Sequence, residues 1–301
     1  MAPQHYTNLT RRLGQQSGVV RGIAWMLVSG VLFVVVTVIV RYLGSDLPAA
    51  QSAFIRYAFG IVLLLPVILR VLKTPPSSQA LLLYAGRGVA HGVGVILWFY
   101  AMARVPIAEV TSLGFLTPVF VTVGAALFLG EKLHMRRIGG ILCALAGALI
   151  ILRPGFTEIN LAHWAQVLAA PCFALSYLLT KRFTRSASAD EIVTMLTLFC
   201  TAALLPAALL QWQTPALADW FWLFVTAIAA TLGHYSMTRA LHAAPISLLQ
   251  PFTFLQLVWA TLAGLVLFGE EPELAVFIGA TLIVAATSYI SHREYQLQKK
   301  E

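Results

Sequence analysis

Tyr100-Ala101-Met102-Ala103-Arg104 in the first half of the chain returns as Tyr235-Ser236-Met237-Thr238-Arg239 in the second, at an offset of 135 residues. Working outward from this pair, Ser112-Leu113 returns as Ser247-Leu248 at the same offset. Leu64-Leu65-Pro66 returns as Leu204-Leu205-Pro206 at an offset of 140, and Phe128-Leu129-Gly130-Glu131 as Leu267-Phe268-Gly269-Glu270 at 139. Matches that recur at nearly half the chain length define an internal duplication. In an apolar chain, two related halves are expected to meet around one central site and to open it alternately to either side.

The composition places those halves in a membrane. The 301 residues are 59% hydrophobic and only 11% charged, with mean hydropathy +0.82. A soluble domain carries roughly 25% charged residues. The net charge of +8 taken alone would suit a nucleic-acid binder. Its basic residues, however, sit in short loops between apolar runs. They read as orientation signals beside anionic lipid, and no nucleic-acid partner is expected. Cys143, Cys172 and Cys200 all fall inside apolar runs without metal-ligand spacing, so they read as packing residues, with no metal and no disulfide framework.

Apolar runs long enough to cross a bilayer, about 20 residues each, are expected at 19–43, 48–72, 80–104, 106–129, 134–152, 161–183, 190–212, 218–241, 244–268 and 273–292. The first is longer than a signal peptide's apolar core of roughly 7–15 residues, so it is expected to be retained. The chain thus reads as an all-α integral membrane protein of ten transmembrane helices. Its expected parts are a cytoplasmic tail (1–18), two five-helix repeats (19–155 and 156–292) and a second cytoplasmic tail (293–301). Five is odd, so the second repeat must cross in the opposite sense to the first.

With the N-terminus inside, the cytoplasmic segments hold Arg11, Arg12, Arg21, Arg70, Lys73, Lys132, Arg136, Arg137, Lys181, Arg182, Arg185, Arg239, Arg293, Lys299 and Lys300. The outer segments hold only Arg41, Arg104 and Arg153. This bias predicts that both termini are cytoplasmic in a multi-pass inner-membrane protein.

Two five-helix halves, a Gly-Glu pair closing the fourth helix of each (Gly130-Glu131 and Gly269-Glu270) and the stretch Thr111-Ser-Leu-Gly-Phe-Leu-Thr-Pro118 resemble the drug/metabolite transporter superfamily, in its ten-helix EamA branch. The resemblance covers roughly residues 19–292. It implies a secondary transporter of amino acids, drugs or other metabolites, without enzymatic activity and without a cofactor. One departure is visible: Leu257 stands where Pro118 would recur, and Pro251 lies a turn or two away.

Polar groups deep inside spans are costly and are candidate functional residues. Arg56 lies about eight residues into the second span. Arg87 lies about seven into the third, and His91 follows one turn later on the same face. Gly86, Gly88, Gly92 and Gly94 surround this pair, either to let helices approach or to leave room for a ligand. Arg56 reads either as an anion site or as a structural arginine, and Arg87 either as an anion site or as a side chain reaching the interface.

A second set is aromatic and amide: Trp98, Tyr100, Phe115, Tyr177, His234, Gln250 and Gln256. Their alternative role is packing or an interfacial belt. Mid-helix Pro118, Pro171 and Pro251 invite kinks. Pro106 and Pro245 are expected only to start helices.

No acid falls near the middle of any expected span, since Glu109 and Glu191 lie close to span ends. Arginines without carboxylates favour a substrate bearing a carboxylate or other anionic group. The expected activity is export of a small carboxylate metabolite such as an amino acid, by alternating access. The proton is the simplest coupling ion and His91 its carrier. Uptake of a vitamin or cofactor precursor is the alternative within the class. A membrane-embedded enzyme acting on lipid would need an interfacial acid or His cluster, which the sequence does not show. No phosphate-cradling glycine loop followed by Lys-Ser/Thr is present, so ATP is not the expected energy source.

Overall fold

The computed structural model describes residues 3–129, 135–153, 158–244, 249 and 252–298. Gly130-Glu131, Lys132, Pro245, Ser247-Leu248, Gln250, Pro251, Lys299 and Lys300 lie outside the described residues.

The described residues form helices and no strand: α1 (Pro3–Leu43), α2 (Ala49–Val71), α3 (Ser78–Met102), α4 (Ile107–Gly114), α5 (Thr117–Leu129), α6 (Met135–Leu152), α7 (Leu161–Phe183), α8 (Ala189–Leu210), α9 (Leu217–Ala243), α10 (Leu255–Phe268) and α11 (Leu274–Gln298). Helices are what a lipid interior demands, because they satisfy their own backbone hydrogen bonds. Among the described residues, seven helical stretches are long and apolar enough to cross a membrane: Gly18–Leu43, Ala49–Val71, Ser78–Met102, Ile107–Gly124, Leu161–Phe183, Ala189–Leu210 and Leu217–Ala243. Ile138–Leu152, Leu255–Phe268 and Leu274–Ile290 are shorter apolar helices.

Four expected boundaries change. The last helix runs on to Gln298, past the expected end at 292, and the helix expected at 244–268 is described as α10 only from Leu255. The first helix begins at Pro3 rather than near residue 19, so the expected polar tail is helical from its third residue. The span expected at 106–129 is broken into α4 and α5. Pro118 explains the break. It has no N–H to offer the carbonyl of Gly114, four residues back, and α4 ends at Gly114.

Packing joins the two halves by exchange. Helix α1 packs on α9 and α3 on α7, while α2 pairs with α8 and α6 with α11. Side-chain contacts give the directions. Tyr42 at the end of α1 meets Trp222 at the start of α9, and Gly18 near the start of α1 lies against Ala243 at the end of α9. Tyr84 early in α3 stacks on Phe183 at the end of α7, while Gly94 farther along α3 meets Phe173 in mid-α7. Gly140 early in α6 meets Ile290 late in α11. Helices α7, α9 and α11 therefore run against α3, α1 and α6.

The surface is apolar and the interior partly polar, the reverse of a soluble domain. Leu82, Leu210, Leu217 and Val266 are among the most exposed side chains, whereas Arg56, Arg87, Gln51, Gln166 and Ser112 are buried. Such an exterior fits a lipid bilayer and not water. The glycines of α3 settle between their two readings. A Cβ on Gly88 would strike Phe199, one on Gly94 would lie 3.0 Å from Phe173, and Gly92 sits against Cys200 and Leu204. Gly86 alone of the four has open space. Gly88, Gly92 and Gly94 serve close approach of α3 to α7 and α8 rather than a ligand.

One end of the bundle is cross-linked by polar contacts. Gly269 ends α10 in the left-handed conformation (φ 65°), and the N–H of Glu270 returns to the carbonyl of Gly264. That turn delivers the Glu270 carboxylate to Arg41 at the end of α1 and to the N–H of Ile107 at the start of α4, both at 2.8 Å. At the same end His163 Nε2 meets Glu109 Oε2 at 3.3 Å, and Arg153 pairs with Glu273. Both acids of the Glu109–Glu270 set are thus engaged away from the middle of the bundle.

Candidate functional site: a basic, aromatic cavity between the halves

A cavity of about 290 Å³ lies at the centre of the bundle. Its walls come from α1 (Met26, Phe33, Thr37), α3 (Arg87, His91, Trp98), the α4–α5 break (Thr111, Phe115, Pro118), α7 (Gln166, Phe173, Tyr177) and α9 (His234, Met237), with Thr253 and Gln256 before and within α10. Arg56 enters from α2. Elements from both halves are needed to close it, which follows from the exchange packing above.

Of the residues singled out in the sequence, Arg56, Arg87, His91, Trp98, Phe115, Tyr177, His234 and Gln256 line this cavity. Tyr100 does not. It is half-buried beneath the guanidinium of Arg104, 4.0 Å from its ring centroid, and Arg104 also donates to the Tyr100 carbonyl. Gln250 lies outside the described residues.

The two arginines differ. Arg87 donates from Nη1 to the carbonyl of Ile192 in α8, at 3.0 Å. Neighbouring Tyr84 donates its hydroxyl to Glu191, at 2.9 Å, so the start of α3 is pinned to the start of α8. Arg87 is 2% exposed, so it does not reach the interface. Arg56 is 3% exposed and lies over the Tyr57 ring, with its guanidinium carbon 3.7 Å from the ring centroid. Among the described residues it has no hydrogen bond and no ion pair. Of the two arginines, it is Arg87 that holds a backbone carbonyl.

His91 is enclosed. Its Nδ1 lies 3.1 Å from Ser176 Oγ, and its ring sits edge-on to His234 at 5.2 Å and tilted to Phe173 at 5.2 Å. His234 also packs edge-on against Phe33, at 5.1 Å. Arg56, Arg87, His91 and His234 lie close enough to act on one another electrostatically. No described lining residue is a carboxylate. The chamber therefore offers hydrogen-bond donors and π-faces, and a positive field rather than a negative one.

Sequence reasoning passed over Gln166, Phe173, Ser176 and Phe33. For Gln166 the signal was present: an amide inside an apolar run, the same ground on which Gln250 and Gln256 were chosen. Phe33, Phe173 and Ser176 carry no such mark, because their position depends on which helix faces which.

A chamber lined by both halves of an apolar helix bundle is the architecture of a membrane carrier. Residues 20–153 and 160–292 each match the EamA-like transporter family, and the chain belongs to that family. It is 32% identical to a riboflavin transporter of Vibrio cholerae over 290 residues, covering 93% of this chain and 96% of that one. It is 27% identical to an S-adenosylmethionine uptake transporter of Rickettsia bellii, covering 93% and 96% respectively. A solved structure with TM-score 0.59 and 19% identity covers 92% of this chain and 97% of its own, and shares the fold. The protein is a multi-pass membrane transporter and not an enzyme.

Proposed function

We propose that this carrier takes up a planar, uncharged or anionic heteroaromatic metabolite of the riboflavin kind. The observation that carries this reading is the make-up of the chamber: guanidinium, imidazole and amide groups between aromatic walls, with no carboxylate among its described lining residues. The relative named for riboflavin supports it. A sulfonium ion such as that of S-adenosylmethionine would meet like charge from Arg56 and Arg87 in a low-dielectric site, where repulsion is strong.

Uptake of riboflavin by a riboflavin auxotroph expressing the chain, at concentrations too low to feed the parent strain, tests the reading. Absence of growth, together with absence of flavin binding by the purified protein, would sink it. The carboxylate reading stands second, favoured by the same two arginines. Binding of amino acids without flavin, with efflux rather than accumulation in vesicles, would select it. Running the uptake assay with and without an imposed pH gradient, in wild type and His91→Gln, tests proton coupling. A gradient response that survives in His91→Gln removes His91 as carrier, and no response in wild type removes the proton.

The same reading includes ten spans in two inverted repeats, 19–155 and 156–292, with both termini in the cytoplasm of an inner membrane. The opposed directions of α7, α9 and α11 support the inversion, and the arginine and lysine bias supports the orientation. Cysteines placed at Lys73 and Arg185 are expected to resist an impermeant thiol reagent in intact cells, and one at Glu158 to react. Equal labelling of positions 73 and 158 would overturn the topology.

A further inference from the structure

We infer that Arg56, and not Arg87, is the residue that selects the substrate, donating its guanidinium edge to ring carbonyl or anionic ring-nitrogen acceptors of a planar ligand. Gln166 and His234 complete the polar contact. The inference deepens the function proposed above and rests on it for the ligand's identity.

Several polar groups of the chamber are already satisfied within the fold. Thr37 donates to the Phe33 carbonyl and Thr180 to the Ser176 carbonyl, each at 2.8 Å within its own helix. His91 has Ser176, and Arg87 has Ile192 through Nη1, with its Nε left without a partner. These groups are held by the fold. Arg56 Nε, Gln166 Oε1 and His234 Nδ1 are buried atoms without a hydrogen-bond partner. Their side chains are 3%, 2% and 8% exposed, and all three line the cavity. Buried polar groups are satisfied in the great majority of cases, and an orphan is destabilising. Arg87 Nε is a fourth such atom, but Arg87 is already tied to Ile192 through Nη1, so the side chains of Arg56, Gln166 and His234 are the ones left for a ligand to complete.

Arg56 is also the one built for recognition. Its guanidinium carbon sits 3.7 Å from the centroid of the Tyr57 ring, which packs against it. The edge of the guanidinium carries the forked donors that match paired acceptors, which an ammonium cannot copy. A ring system with carbonyls along one edge presents such acceptors, and its flat faces suit Trp98, Phe115 and Phe173 on the surrounding walls. Arg87 is a positioning residue that ties α3 to α8.

The assignment makes an unusual demand. If the fold gains nothing from the free groups of Arg56, Arg56→Met removes a buried unpaired charge. The variant is then expected to melt no lower than wild type while losing ligand. A structural arginine predicts the opposite, a lower melting temperature. Purified protein is titrated with riboflavin by fluorescence quenching, and its thermal unfolding is followed in the same detergent.

The expected result is an affinity lowered about 10- to 100-fold in Arg56→Met, as for loss of hydrogen bonds to a charged group, with an unchanged or raised melting temperature. Arg56→Lys is expected to restore little affinity, and Gln166→Leu to weaken binding without loss of stability. Arg87→Met is expected to lower the melting temperature. Wild-type affinity in Arg56→Met overturns the inference, and so does a lowered melting temperature in that variant. If wild-type protein binds no flavin, the proposed function fails. The melting temperatures then still decide whether Arg56 belongs to a ligand or to the fold.

Discussion

Gly279→Leu is expected to leave no monodisperse, folded protein. Gly147 and Gly279 stand where α6 and α11 cross. A Cβ on Gly147 would lie 2.6 Å from the Gly279 carbonyl oxygen and 2.9 Å from Ile283 Cγ1. A Cβ on Gly279 would strike the Gly147 carbonyl oxygen and come within 2.5 Å of Ile151 Cγ1. The contact is reciprocal and it is backbone against backbone, so no side-chain rotation relieves it. Adding methylenes to a close-packed site costs about 1–3 kcal/mol when neighbours can shift. Here the helices themselves must separate, and separating them opens the small-residue seam that joins them. Gly279→Ala is expected to lower the melting temperature, and Gly279→Leu to aggregate on size-exclusion chromatography. Gly139→Leu is the control. It lies on α6, the helix of Gly147, is exposed and has nothing within 4 Å of its added Cβ, so wild-type behaviour is expected. A Gly279→Leu protein that melts and elutes like wild type would remove the crossing from the account.

Much of this architecture could be read from the chain because lipid makes polar residues expensive. Arg56, Arg87, His91, His234 and Gln256 were visible as polar groups inside apolar runs, and all of them line the chamber. The duplication was visible because two halves related by repetition keep their turn and motif residues. Tyr100 was separable in principle. It stands two places from Trp98, about 200° round a helix, so the two side chains do not share a face. Trp98 lines the chamber and Tyr100 lies under Arg104. The break at Phe115–Leu116 was half legible, since Pro118 announced a kink but not a full interruption.

What stayed hidden depends on partners far away in sequence. Arg87 and Arg56 look alike as mid-span arginines. Only the Ile192 carbonyl, 105 residues from Arg87, makes one a clamp and leaves the other free. The glycines of α3 are likewise undecided until α7 and α8 are placed against them. Glu270 is the plainest case. The sequence marks it as half of a repeated Gly-Glu pair, yet its contact with Arg41 spans 229 residues and that with Ile107 spans 163.

Glu270→Gln is expected to open the end of the bundle that Glu270 holds shut. One carboxylate joins the end of α1 to the start of α4 from a turn that closes α10, so a single side chain bridges both halves. A carrier that exposes its chamber at this end must part these contacts in each cycle. Glutamine keeps an acceptor for the Ile107 N–H but removes the charge that holds Arg41. Hydrogen bonds to charged groups contribute about 1.5–3 kcal/mol. The two side chains are 13% and 23% exposed, so screening trims that figure. A shift on the order of tenfold in the ratio of open to closed forms remains. Thr37 lines the chamber on α1, one turn before Arg41. With Cys143, Cys172 and Cys200 replaced by alanine, Thr37→Cys reports the shift as its rate of labelling by an impermeant thiol reagent in intact cells. Labelling on the order of tenfold faster is expected in Glu270→Gln. Arg41→Gln should match it, and the double variant should add little to either, because both changes break one bond. Equal labelling rates in wild type and Glu270→Gln would mean that the bridge decorates this end of the bundle without holding it.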